Sequence, residues 1–232
     1  MAGKDPISRV SLVNTGAVWI RPEHIGPTKK NLYVWLVTSR EWTSPLPINA
    51  YVIEHREGLV LFDTGQDRAG VTDPTYFPPG FIGFLYDRLN RFDIGPNQTL
   101  TRQLAALGHH VDDVHTVALS HLHHDHIGGL PELGHARILV SDQESMSLLI
   151  RRPGRLPLLM VGDLTYDAEL LAAGTVPGAG NKRQLRRTVA AVNKLRRRTP
   201  GLTVLPTHDP AAAQRLSASL RTPTASSSND PA

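Results

Sequence analysis

Residues Ser120 to Leu130 read Ser-His-Leu-His-His-Asp-His-Ile-Gly-Gly-Leu and place four metal-ligand side chains within six positions: His121, His123, Asp125 and His126, with His124 interleaved. The run before them, Thr116-Val-Ala-Leu-Ser120, is apolar and β-prone, and the Gly128–Gly129 pair after them fits a tight turn. A strand that ends in such a loop aims several imidazoles at one point. Imidazole nitrogen and carboxylate oxygen are the ligands of a zinc-like cation, and a cluster this dense can share two such ions. The competing reading is a solvated polar loop, which needs no partners elsewhere in the chain.

The chain has 232 residues and no cysteine, so any metal is held by His, Asp or Glu. Its length and its composition, 40% hydrophobic and 20% charged, suit a single globular domain. We expect that domain to span residues 1–220, with a disordered tail at 221–232 rich in Ser, Thr, Pro and Ala. The N-terminus lacks an apolar stretch, and no run approaches 18 apolar residues, so a cytoplasmic protein with no membrane contact is expected. Eight basic residues fall between Lys182 and Arg198. Leu185, Val189, Val192 and Leu195 recur there at helical spacing, and no aromatics are interleaved. The stretch therefore reads as an amphipathic helix with a solvated basic face rather than a nucleic-acid surface.

Apolar, β-branched runs open the chain at Arg9–Val13, Leu32–Thr38 and Ala50–Ile53, and Leu59–Phe62 follows a Glu57–Gly58 turn as the second arm of a hairpin. Residues 66–98, rich in Gly, Pro and aromatics, read as a long irregular segment that shapes a substrate or packs on the surface. Helices are expected at Thr99–Leu107, from Asp163 to about Ala173, at Asn181–Arg198, and after Pro210. Strands are expected at His115–Ser120, Ala136–Val140, Met146–Ile150, Leu156–Val161 and Thr203–Leu205. Early hairpins followed by strand–helix alternation imply mixed sheets with helices outside.

Three further chemistry-bearing residues each follow an apolar strand: Asp63, Asp163 and His208. Taken singly they read equally as a turn residue, a helix N-cap and a surface histidine. Beside the 121–126 cluster they gain weight, because a two-metal site draws a bridging carboxylate and further ligands from several loops.

The pattern His121-x-His123-x-Asp125-His126, preceded by Asp63-Thr64-Gly65 and followed by Gly162-Asp163 and His208, resembles the metallo-β-lactamase fold superfamily. Tyr166, three residues after Asp163, is similar to the tyrosine of the N-acyl homoserine lactonase branch. The resemblance covers about residues 30 to 215. It implies an αββα sandwich of two mixed sheets flanked by helices, with a dinuclear zinc site at one edge. It assigns His121 and His123 to a first metal, Asp125, His126 and His208 to a second, and Asp163 to the bridge. Asp63 would orient ligands, and Tyr166 would hydrogen-bond the substrate carbonyl. His124 would face outward.

One departure stands out. The resemblance implies a third histidine for the first metal, from a segment between the ligand loop and the bridging aspartate. Between His126 and His208 this chain has only His135, in Leu133-Gly-His-Ala-Arg137, a context that does not match. The middle of the chain reads as shortened around Glu144–Met146, which leaves the first site weak or empty. The implied function is a metal-dependent hydrolase that opens an ester or lactone, such as an N-acyl homoserine lactone, by attack of metal-bound hydroxide, with Tyr166 and Asp125 as catalytic groups. The alternative is an impaired or non-catalytic metal-binding protein of the same fold.

Overall fold

The computed structural model describes residues 5–142 and 145–221, the side chains of residues 32, 33 and 82 excepted. Its strands are β1 (Ile7–Ile20), β2 (Leu46–His55), β3 (Gly58–Phe62), β4 (Asn90–Asp93), β5 (Val114–Ala118), β6 (Arg137–Leu139), β7 (Leu148–Ile150), β8 (Leu158–Gly162) and β9 (Thr203–Pro206). Six form one sheet in the order β4-β1-β2-β3-β5-β6, and three form a second in the order β7-β8-β9. Both sheets are mixed. The β2–β3 hairpin is antiparallel, whereas β3 pairs parallel to β5 and β8 parallel to β9.

Alternation of side chains along the strands builds the layers. On β8, Leu158 and Met160 join Tyr51, Ile53, Phe62 and Leu205 in a core between the sheets. Leu159 and Val161, pointing the other way, pack with Leu171, Val189 and Val192 from the helices Ala168–Ala172 and Lys182–Arg198. On the far side of the large sheet, Ala50, Val52, Leu59 and Leu61 meet Leu100 and Leu104 of the helix Leu100–Ala106. Thr99 caps that helix, its side chain accepting from the Arg102 amide. The result is the expected helix–sheet–sheet–helix sandwich. No helix among the described residues is long and apolar enough to cross a membrane.

Four differences from the sequence expectation have physical causes. Leu32–Thr38 is a helix, not a strand. The Asn31 carbonyl accepts the amides of Val34 and Trp35, and one turn buries Trp35 and Ser39 while Val34 and Val37 stay exposed. The segment 66–98 contains the helices Ala69–Thr72 and Phe81–Leu89 and the edge strand β4. Asp163 does not begin a helix: a turn intervenes, and Asp167 is the N-cap of Ala168–Ala172. The last helix, Ala212–Arg221, includes Arg221; residues 222–232, the rest of the proposed tail, lie outside the described residues.

The consequence for function is geometric. The parallel pairs β3–β5 and β8–β9 end where Asp63, the 120–126 loop, Asp163 and His208 begin. Residues distant in sequence thus gather at the carboxyl ends of the parallel strands, where open α/β sheets commonly bind their ligands.

Candidate metal centre

Asp63 organises the centre from below. It is fully buried and held at φ 61°, a left-handed conformation that Asp tolerates better than most residues. Its Oδ1 accepts the Ser120 amide at 2.7 Å. Its Oδ2 accepts the Ser120 hydroxyl at 2.8 Å and the Thr207 hydroxyl at 3.3 Å, and lies 2.9 Å from His126 Nδ1. One carboxylate therefore ties the loops after β3, β5 and β9 together.

The histidines are oriented by the same device repeated. His126 Nδ1 is engaged by Asp63, His208 Nδ1 by the Pro47 carbonyl at 2.8 Å, and His121 Nδ1 by the Ser120 hydroxyl at 3.0 Å. Each ring then presents Nε2 to a common point, a tautomer choice typical of metal-binding histidines. Nε2 of His126 and of His208 lie 3.2 and 3.3 Å from Asp163 Oδ1, and His121 Nε2 lies 3.7 Å from Asp163 Oδ2. Asp125 faces His208 Nε2 at 3.4 Å. Two ligand groups result, His121–His126–Asp163 and Asp125–His126–His208, each with its donor atoms within 4.8 Å of one another.

The donor set fits a divalent cation. His126 Nε2 and Asp163 Oδ1 are buried and make no hydrogen bond, although they face each other. Such unpartnered polar atoms in a buried site call for a ligand. The charges agree. Burial disfavours both ionised carboxylates, yet His126 and His208 hold Asp125 and Asp163 well below the usual carboxylate range. Burial likewise opposes protonation of His208, but Asp163 and Asp125 outweigh it and raise the imidazole to about 10. His126 is raised in the same way by Asp163, Asp63 and Asp125. His121, by contrast, is pushed down to about 4 by burial and by repulsion from His126, so it is a neutral base. Protons and a metal ion compete for the same nitrogens here.

The remaining sequence candidates fall around this core. His123 stands outside both ligand groups, its Nδ1 2.8 Å from His121 Nε2. Tyr166 stacks on the His208 imidazole, centroids 5.5 Å apart and planes at 17°, and burial together with the nearby charge of Asp163 raises its hydroxyl well above the ordinary value. His124 does not face outward. Its ring packs among Phe77, Tyr86 and Phe92 at 4.8–5.2 Å, and its Nδ1 lies 2.9 Å from Gln66 Oε1. Phe77 also lines a cavity of about 600 Å³, together with Val71, Pro78 and Phe84 and with Asp73 and Asp87. His135 is exposed and takes no part in the ligand groups.

Residues 43–214, about three quarters of the chain, match the metallo-beta-lactamase superfamily. The chain belongs to that superfamily. Within it, the chain is 30% identical over 133 residues to a probable metallo-hydrolase of Mycobacterium tuberculosis, a stretch covering 57% of this chain and 41% of that one. It is 33% identical over 100 residues to the N-acyl homoserine lactonase AiiB of Agrobacterium fabrum, covering 43% and 34% respectively. The chain thus spans well under half the length of these curated relatives in sequence. Its fold follows that of an N-acyl homoserine lactone hydrolase solved with the product N-hexanoyl-L-homoserine at its catalytic metal centre, with a TM-score of 0.70, 17% identity, and coverage of 92% and 96%. It also follows AidC, a dizinc quorum-quenching lactonase, with a TM-score of 0.52, 14% identity and 87% of each chain.

Sequence reasoning missed several supports of this metallo-beta-lactamase site. Ser120 and Thr207 adjoin ligands, so their position offered a signal. The Pro47 carbonyl offered none, because any residue has one. His24 is the least expected. It packs edge-on against Trp35 at 4.8 Å and senses the charges of His123, Asp163 and Asp125, and burial pushes its imidazole down to about 4.

Proposed function

We propose that this protein is a metal-dependent hydrolase that opens an ester or lactone ring, with an N-acyl homoserine lactone-like substrate. The observation that carries the reading is the convergence of three tethered imidazoles on Asp163. His126, His208 and Asp125 would hold one cation and His121, with His123 beside it, a second, with Asp163 shared between them. Zinc suits this nitrogen and oxygen donor set. Three protein donors suffice for a catalytic zinc, so the first site remains competent without a further histidine, at lower affinity.

A bound cation supplies Lewis-acid polarisation and draws the pKa of water towards neutrality. The protein's own groups do the rest. Burial, with Asp163 and Asp125 beside it, raises the Tyr166 hydroxyl well above its ordinary value, so it stays a hydrogen-bond donor at every working pH. We assign it to the carbonyl oxygen that becomes an oxyanion. Asp125, held ionised, accepts a proton from the attacking water and returns it to the leaving alkoxide. The cavity beside Phe77, one ring contact from His124, suits an apolar acyl chain.

The test is ring opening of N-hexanoyl-L-homoserine lactone, followed by proton release, alongside simple esters and with and without chelator. Turnover that chelation abolishes and a divalent ion restores supports the reading. Unchanged turnover in metal-free protein refutes it, and a metal-loaded chain with no turnover favours the non-catalytic alternative.

A further inference from the structure

Asp209, the residue after His208, is buried yet belongs to neither ligand group. Its contacts join two loops. Oδ1 accepts the Ala211 amide at 2.7 Å and fixes the start of the last helix. Oδ2 accepts Arg215 Nε at 3.1 Å and, from across the rim, the Ala168 amide at 3.4 Å. Arg215 continues the link, with Nη2 3.9 Å from Asp167 and 3.6 Å from Glu169. The turn so gripped carries both Asp163 and Tyr166, and Thr165 closes it by donating to the Asp167 carbonyl at 2.7 Å.

We infer that Asp209 and Arg215 form a positioning clasp that sets Tyr166 against His208. It spans the 207–209 loop and the 163–168 turn, and the near-parallel Tyr166–His208 stack lies between its anchor points. The role in turnover rests on the proposed function; the placement of Tyr166 does not. A planar guanidinium suits such a bridge, because one end can hold Asp209 while the other reaches Asp167. Loss of Arg215 leaves a buried carboxylate without its cation and frees the turn. Displacing a reacting group by about 1 Å can cost roughly 100-fold in rate.

The experiment uses the full chain labelled with 3-fluorotyrosine, as wild type, Arg215→Met and Arg215→Lys. The Tyr166 fluorine resonance is assigned by its absence in Tyr166→Phe. The clasp predicts that Arg215→Met moves or broadens this resonance while that of Tyr86, which packs on His124 in the 66–98 segment, stays in place. It predicts a fall in kcat on N-hexanoyl-L-homoserine lactone of about 10- to 100-fold, with KM within about twofold and zinc content unchanged. Arg215→Lys keeps a cation facing Asp209 and gives smaller changes of the same sign. An unmoved Tyr166 resonance in Arg215→Met overturns the inference, as does a lowered melting temperature with kcat unaltered. Should Arg215→Met lose its near-UV circular dichroism, the lysine variant decides by the same resonance. If wild type opens no lactone, the proposed function fails and the fluorine measurement alone judges the clasp.

Discussion

Replacing Asp63 with Asn isolates the electrostatic part of the centre. Asn tolerates the left-handed φ of 61° about as well as Asp, so the change removes charge without adding backbone strain. The retained carbonyl oxygen can still accept the Ser120 amide. The new NH2 group meets the hydroxyls of Ser120 and Thr207, which can rotate to accept from it. His126 cannot adjust as cheaply. In the neutral ring that a cation requires, its Nδ1, 2.9 Å from Oδ2, would have to become an acceptor, which moves the proton to Nε2 and removes the lone pair a cation would take. A hydrogen bond to a charged group contributes about 1.5–3 kcal/mol, which sets the loss of stability in metal-free protein. Groups that orient ligands typically contribute 10- to 100-fold in metal affinity, equivalent to about 1.4–2.7 kcal/mol. Urea melts of the metal-free protein and zinc competition against a chromophoric chelator measure the two effects separately. Zinc affinity within about twofold of wild type would refute the assignment of Asp63 as the group that sets His126, even if stability fell.

Other expectations follow from the same geometry. Gly162 has φ 55°, and a Cβ there would lie 2.4 Å from the Ser120 side chain, so Gly162→Ala should cost about 1–3 kcal/mol by urea melt and weaken zinc binding as well. Unaltered zinc affinity would show that the contact can relax. Tyr166→Phe should lower kcat on the lactone by roughly 100-fold, with zinc content unchanged and KM little affected; a kcat near wild type would remove Tyr166 from the chemistry. In metal-free protein His208, at about 10, is protonated at pH 7, and Asp163, Asp63 and Asp125 push His126 the same way, well above the ordinary imidazole value. Zinc must displace protons from these imidazoles, so its apparent affinity rises with pH, and calorimetry in buffers of different ionisation enthalpy should detect net proton release at pH 7. Uptake without net proton release would contradict the charge distribution.

Much of the fold was legible because its signals are local. The Glu57–Gly58 turn, the strand pair expected at Met146–Ile150 and Leu156–Val161, and the helix expected from Asn181 to Arg198 each carry their own instructions, and all three form, the helix as Lys182–Arg198 with Asn181 as its cap. The ligand loop was legible for the same reason: its residues are contiguous, and the strand before it fixes where it ends. What local pattern did not show depends on tertiary partners. The run Leu32–Thr38 is β-branched but helical, with Trp35 buried and Val34 and Val37 exposed, a one-sided burial that no local pattern announced. His124 could not be placed without knowing that Phe77, Tyr86 and Phe92 return from the 66–98 segment to surround it. The same holds for His24 and for the clasp through Asp209, whose partners lie on other elements. The resemblance to the metallo-beta-lactamase superfamily was carried by residues visible in the sequence, whereas the supports that orient each ring were not.

Zinc-edge anomalous scattering from crystals of the zinc-loaded protein tests the central arrangement most directly. The account predicts a strong anomalous peak within bonding distance, about 2 Å, of His126 Nε2, His208 Nε2 and the Asp163 carboxylate, and a second, weaker peak beside His121. Zinc bound elsewhere, with these atoms left without a peak between them, would contradict it.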